Sequence, residues 1–380
     1  MTSDAIAGGI AGQSELLADE KERYYRATQW QLIWWKFRKH VLAQAALVVL
    51  GILYLIALTC EFIAPYGSGS RLQEYEDSRP SPIHIVADGR LVGPYVYKME
   101  SEIDPNTYRM TYVEERSQRY PIQFFASGEP YKLWGLFPSS IHLFTTDPNA
   151  PVMLFGTDRL ARDLFSRVVY GARISLTIGL VGVGLSFFFG LIIGGVSGYF
   201  GGLTDLVIQR VIEFLLSVPT IPLWMALSAA LPRQWPVVKT YFFITIILSL
   251  VSWCTLARQV RGKLLAVREE DFVTVARLVG SSEARILAVH LFPSFTSHLI
   301  VTLTLMIPSM ILGETALSFL GLGMQPPAVS WGVLLQDAQN IVTIAQHPWQ
   351  LIPCLFIIVT VLMYNFLGDG LRDAADPYSV

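Results

Sequence analysis

The chain has 380 residues, of which 52% are hydrophobic and only 15% charged, and its mean hydropathy is +0.45. That is more apolar surface than a water-soluble core can hide, so a lipid solvent is expected. The formal net charge of −2 excludes the global basic excess of a nucleic-acid-binding protein, and Cys60, Cys254 and Cys354 are too far apart for a disulfide framework or a metal site.

Taken in chain order, residues 1–40 read as a cytoplasmic segment ending in an interfacial helix. There Trp30, Trp34, Trp35 and Phe37 interleave with Lys36, Arg38 and Lys39, a pattern that also suits a simple aromatic-belt anchor. A spanning helix needs roughly 20 apolar residues, and the first such run, at 41–64, extends from Val41 to about Ala64. It is expected to stay attached, because a long segment precedes it and no small-residue cleavage site follows. Residues 65–170 then turn charged and rich in Tyr and Pro, with polar turns at Asp104-Pro105-Asn106 and Ser127-Gly128-Glu129-Pro130. This is a water-exposed insert. Alternation at Ile83–Val86 and Tyr95–Lys98 predicts a few short strands, with a hairpin at Asp88-Gly89. Its role is open between a contact for a solute-binding protein or partner subunit and a packing lid.

Five more apolar runs form a core over 171–370, followed by a tail at 371–380. They cover Ile174 to about Phe200, Val211 to about Leu231, the stretch between Lys239 and Arg258, the stretch from Pro293 to about Leu320, and His347 to about Gly368. In the first of these, Gly190, Gly194 and Gly198 repeat every fourth residue, which predicts close helix packing. Pro219, Pro222, Pro308 and Pro353 bend helices around a path or simply kink them. Glu213 and Glu314 are acidic residues inside spans, a costly placement that makes them candidates for lining a pathway or pairing with a partner's basic group. The loop 258–293 carries Arg258, Arg261, Lys263, Arg268, Arg277 and Arg285, whereas Met324–Gln346 carries no Lys or Arg. By the positive-inside rule both termini are cytoplasmic.

The loop 258–293 reads as two short helices around a glycine turn. Glu269, Glu270 and Asp271 precede a helical run to Val279, with Arg277 towards its C-terminus, as the helix dipole favours. Gly280 is the expected left-handed terminator. Ser281 or Ser282 would cap the next helix, Glu283 to Leu291, which stops at Pro293. By spacing alone this is equally a solvated connector. The residues Asp271-Phe272-Val273-Thr274-Val275-Ala276-Arg277-Leu278-Val279-Gly280, then Arg285-Ile286 and His290-Leu291-Phe292-Pro293, resemble the EAA loop of bacterial ABC-importer permeases. Thr274-Val275 stand in place of the usual Glu-Ala, and Phe292-Pro293 in place of Leu-Pro.

Three further segments are similar to the C-type permeases of the dipeptide/oligopeptide importer group. They are Phe155-Gly156-Thr157-Asp158 through Arg162-Asp163-Leu164-Phe165-Ser166-Arg167 and Tyr170 to Leu176, then Gly313 to Gly323 with Ser330-Trp331-Gly332, then Leu367 to Asp373 with Asp376-Pro377. The long insert resembles that of the microcin-type peptide importers in this group. The resemblance implies an all-α membrane fold of six transmembrane helices, the type I ABC importer permease, with an extracytoplasmic insert between the first two, in a bacterial inner membrane. It implies a peptide or peptide-like substrate, a second permease subunit, two ATP-binding subunits and a solute-binding protein as partners, besides membrane lipid. By the same resemblance Asp271, Phe272, Ala276, Arg277, Gly280, Arg285, His290 and Pro293 would couple to the ATPase subunit.

The sequence has no phosphate-binding loop, so this chain is expected to hold no cofactor, with ATP and Mg bound by the partner ATPases. No metal site and no clustered catalytic groups stand out, and the six histidines, His40, His84, His142, His290, His298 and His347, are scattered, so no enzymatic activity is expected. The alternative reading is a secondary transporter or channel, which nucleotide dependence distinguishes.

Overall fold

The computed structural model describes residues 28–375, apart from 88, 104, 106, 107, 109 and 233. Segment 1–27, Asp88 of the expected hairpin, Asp104 and Asn106 of the polar turn, and the tail from Asp376 lie outside the described residues. The described residues open with α1 (Gln29–Phe37), started by a capping box in which Thr28 and Gln31 bond reciprocally. The first span, α2 (Val41–Leu58), is shorter than expected, because Thr59 leaves helical geometry (φ −111°, ψ 26°) and α3 (Cys60–Ile63) turns away from it.

The insert contains β-structure, with strands longer than the sequence suggests. β1 (His84–Ala87), β2 (Arg90–Ile103) and β3 (Met110–Pro121) form an antiparallel sheet in that order. Ala87 pairs with Arg90, so the expected hairpin is present, and Gly89 takes the positive φ (+75°) that a tight turn requires. β4 (Gln123–Leu133) and β5 (Phe137–Thr145) make a separate hairpin.

The central helix, α4 (Leu164–Phe200), begins ahead of the expected Ile174. The Asp163 carboxylate accepts the Ser166 backbone N–H at 2.7 Å and starts the helix early. Its 37 residues correspond to roughly 55 Å at 1.5 Å per residue, well beyond a ~30 Å hydrocarbon layer, so its first turns stand outside. The third expected span is not one rod: α5 (Gly202–Ser217) and α6 (Thr220–Ala229) meet at 82°. Pro219 causes the break by forcing Val218 into extended geometry (φ −85°, ψ 130°). α7 (Val237–Val267) continues through Arg258 as helix, so the connecting segment starts at Arg268 rather than Arg258.

α8 (Asp271–Leu278) and α9 (Glu283–Arg285) flank the glycine turn. The second helix is not a simple α-helix ended by Pro293. It widens to π geometry over Ile286–Leu291, takes one more turn at Phe292–Ser294, and breaks at Phe295 (φ −125°). α10 (Thr296–Phe319), α11 (Trp331–Leu334), α12 (Ile341–Gln346) and α13 (Ile352–Ala375) complete the chain. Among the described residues five helical stretches are long and apolar enough to cross a membrane, or six if α5 and α6 form one bent span.

α4 lies between α7 and α10. A Cβ on Gly190, Gly194 or Gly198 would stand within 3 Å of Leu256, Ala257 or Leu264 of α7, and one on Gly179 would touch Ile307 and Ile311 of α10. The glycine repeat therefore packs helices together, as its spacing predicts. At the last helix, Gly368 and Gly370 let α13 approach Leu305 of α10 and Ala43 of α2. Cys60 and Cys254 are buried and Cys354 half-buried, all three as free thiols.

Candidate functional site

α8 is apolar on two faces. Val273 and Ala276 point inwards to a cluster with Tyr199, Leu264, Ile286 and Leu291. Phe272, Val275 and Val279 point outwards at i, i+3 and i+7, with Val279 79% and neighbouring Leu278 82% exposed. One face is explained by the core, and the other has no cover among the described residues. The outer face opens into a groove of about 890 Å³, lined by Phe272, Val275, Ala276, Val279, Gly280, Ser281, Ser282, Arg285 and His290.

The turn that shapes this groove is a Schellman motif. The Ser281 N–H donates to Ala276 O at 3.1 Å and the Gly280 N–H to Arg277 O at 2.9 Å, with Gly280 at φ +80°. Ser282 occupies the N-cap position of α9, but its side chain makes no capping bond. The segment is fastened to the end of α4: the Arg268 guanidinium donates to Gly198 O at 3.0 Å, Arg277 lies 5.5 Å over the Tyr199 ring, and the Tyr199 hydroxyl donates to Glu283. Cationic groups at that helix end also complement its dipole. Alongside, Arg261 of α7 makes a bidentate pair with Asp205 of α5, both contacts at 2.5 Å. α8 is thus tied to the end of α4 by Arg277 and packed against Leu264 of α7.

The expected coupling residues divide accordingly. Phe272, Ala276, Gly280, Arg285 and His290 come together in the groove. Asp271 is exposed at the start of α8. Arg277 is engaged by the chain's own Tyr199, and Pro293 is exposed outside the groove lining. Val275 and Val279 were not among the expected residues, although their spacing from Phe272 marks one stripe of a helix.

The two acidic candidates lie in different surroundings. Glu213 is half-exposed on α5 and pairs with Arg210, one turn away, at 2.8 Å. Glu314 is 0% exposed, and its Oε1 accepts the hydroxyls of Ser318 (2.7 Å) and Ser330 (2.6 Å). The Ser318 hydroxyl also accepts the Met324 N–H at 2.9 Å, and the Ser330 hydroxyl caps α11. Trp331, next in line, donates from its ring to Val168 O and from its backbone to the Ser175 hydroxyl, both at 3.0 Å. Glu314 thus holds the 320–331 loop against α10 and α4 within one chain.

The segment 155–167 is a similar clamp. The Asp158 carboxylate accepts the backbone N–H of Leu160 and Arg162 and ion-pairs with the side chains of Arg162 and Arg167. Thr157 bonds to Tyr75 and Ser78, and Trp349 donates to Thr157 O at 3.2 Å. These residues lock the chain where it passes from the insert into α4. Burial pushes the Asp163 carboxyl up to about 7, although its bonds to Ser166 and Phe165 oppose this. Among the described residues no group of three His, Cys, Asp or Glu side chains is placed to hold a metal ion.

Residues 187–378 match the model of the binding-protein-dependent transport system inner membrane component, and residues 28–79 match the N-terminal TM domain of oligopeptide transport permease C. The chain is 37% identical to the oligopeptide transport system permease protein OppC of Bacillus subtilis (strain 168) over 63% of its own length and 76% of that protein's. It is 42% identical to the protein of the same name from Escherichia coli (strain K12) over 59% and 72%, and 40% identical to the dipeptide transport system permease protein DppC of Bacillus subtilis (strain 168) over 59% and 68%. The chain belongs to the family of binding-protein-dependent transport system inner membrane components, and within it to the C-type permeases of ATP-driven importers.

Proposed function

We propose that the chain forms half of the translocation pathway of an importer for peptides or peptide-like solutes, driven by ATP hydrolysis on partner subunits. The observation that carries this reading is the uncovered apolar face of α8 beside the Schellman turn. An exposed stripe of Phe272, Val275 and Val279, mechanically tied to α4 and α7, is what a docking element needs in order to receive work from another protein. Oligopeptide and dipeptide permeases as relatives support the substrate class.

In this reading the chain pairs with a second permease subunit, and two ATP-binding subunits seat the α8–α9 elements of the two. A loaded solute-binding protein acts from the insert's side, and both termini lie in the cytoplasm. Closure of the ATPases on ATP and Mg moves α8, and Arg268, Arg277 and Glu283 carry that movement to α4. The chain holds no cofactor and catalyses no chemistry itself.

The test is ATPase activity and peptide uptake of the reconstituted complex with Gly280→Pro. Proline fixes φ near −65° against the native +80° and removes the N–H donated to Arg277, a local cost of about 3 kcal/mol or more. ATP hydrolysis should persist while uptake falls at least about tenfold. Val279→Asp, a change at an exposed position, should uncouple in the same direction without lowering the thermal midpoint. Unchanged uptake in both variants would refute docking through α8, and uptake that never needs ATP would favour the alternative, a secondary transporter or channel.

A further inference from the structure

The β4–β5 hairpin ends in Lys132-Leu133-Trp134-Gly135-Leu136-Phe137, a composition unlike that of a water-facing turn. The turn itself takes left-handed backbone at Trp134 (φ +53°) and Gly135 (φ +74°), the first an unusual conformation for a bulky residue. Leu136 is 72%, Phe137 61% and Trp134 50% exposed, so among the described residues Leu136 and Phe137 are left largely uncovered.

The hairpin's attachments give its direction relative to the bilayer. Midway along it, His142 Nδ1 lies 2.6 Å from Ala64 O, and the Glu129 carboxylate accepts the Gly67 N–H at 2.8 Å. At its tip, the Trp134 ring N–H donates to Leu58 O at 2.8 Å. Leu58 is the last residue of α2, the first membrane span, and Ala64 lies beyond it. Passing towards its tip, the hairpin follows the main chain back from Ala64 to Leu58, and so towards the first span. The depth reached is that of the headgroups, because the Arg173 guanidinium, ion-paired to Glu61 at 2.6 Å, contacts the same Leu58 carbonyl at 3.3 Å.

We propose that the tip Leu133–Phe137 is an interfacial anchor, inserted into the bilayer leaflet on the insert's side. Trp134 sits at the headgroup level with its N–H satisfied. Leu136 and Phe137 enter the acyl boundary, and Lys132 reaches back to lipid phosphate. The Trp134–Leu58 bond then fixes the insert against the first span, so the β-structure rides on the membrane surface rather than swinging above it. This assignment is independent of what the protein transports.

The test uses the full complex reconstituted in vesicles of phosphatidylethanolamine and phosphatidylglycerol, with Cys354 replaced so that only buried native thiols remain. An environment-sensitive fluorophore is placed at Leu136→Cys, or at Thr111→Cys on the exposed edge of β3 as the reference. Nitroxide lipids should quench the Leu136 probe several-fold more than the Thr111 probe, and aqueous iodide should show the reverse order. Equal access of iodide to both probes, without lipid quenching at Leu136, overturns the proposal. Protection of the Leu136 probe from both quenchers also overturns it, because a protein surface would then cover the tip.

Discussion

Replacing Gly194 with alanine should loosen the seam between α4 and α7. The added Cβ would stand 2.5 Å from Ala257 O and 2.8 Å from Ala257 Cα, against an ordinary contact distance of about 3.5–4 Å. Both obstacles are backbone atoms of a 31-residue helix, so no side chain can rotate away and the two helices must separate by about 1 Å to restore ordinary contact. Forced overpacking of this kind costs about 1–3 kcal/mol. Gly184→Ala on the same helix is the control, since a Cβ there meets nothing within 4 Å and should gain up to about 1 kcal/mol of helix propensity. The assay is the thermal midpoint of the purified complex in detergent, followed by loss of the monodisperse species. Gly194→Ala should lower the midpoint and Gly184→Ala should leave it equal or higher. An unchanged midpoint for Gly194→Ala would refute the argument that this glycine sets the interhelical distance.

Glu314→Ala removes the acceptor of two buried hydroxyls, Ser318 and Ser330, and should destabilise by about 1–3 kcal/mol. Glu314→Gln keeps an acceptor oxygen and should recover most of that loss; if the Glu314→Gln variant is fully stable yet fails to transport, the residue acts in the pathway after all. Asp163 supplies a pH dependence. Its folded-state value of about 7 lies above the ordinary ~3.9, so the folded chain holds a proton that the unfolded chain releases. Its contribution to stability is complete below about pH 4 and is lost as pH rises through about 7. Asp163→Asn keeps the cap oxygen for the Ser166 N–H and should flatten thermal midpoints across that interval; equal slopes in both proteins would count against burial as the cause.

Much of the coupling surface is legible in local sequence because its determinants are local. A left-handed glycine after Val279, acidic residues before Phe272 and Arg277 near the helix end require only chain geometry and the helix dipole. The outward stripe of Val275 and Val279 has the same local signal. Whether such a stripe faces core or partner is not local, since Val273 and Val275 are the same residue type and only packing against Ile286 and Leu291 sorts them.

By itself the sequence determined how many apolar runs there are, their order, the insert and its first hairpin, and the glycine repeat that packs α4, because hydropathy, turn chemistry and helical spacing act over a few residues. Only the tertiary structure decided the fate of the buried charges and the broken spans. Glu314 is enclosed by serines from α10 and from the loop before α11, with no group of opposite charge among its hydrogen-bond partners. Asp158 meets Arg167 in the clamp at the start of α4. Trp134 finds Leu58 across 76 positions of chain. The cost of burying a polar group is known from its type, but the partner that offsets it is chosen by the fold.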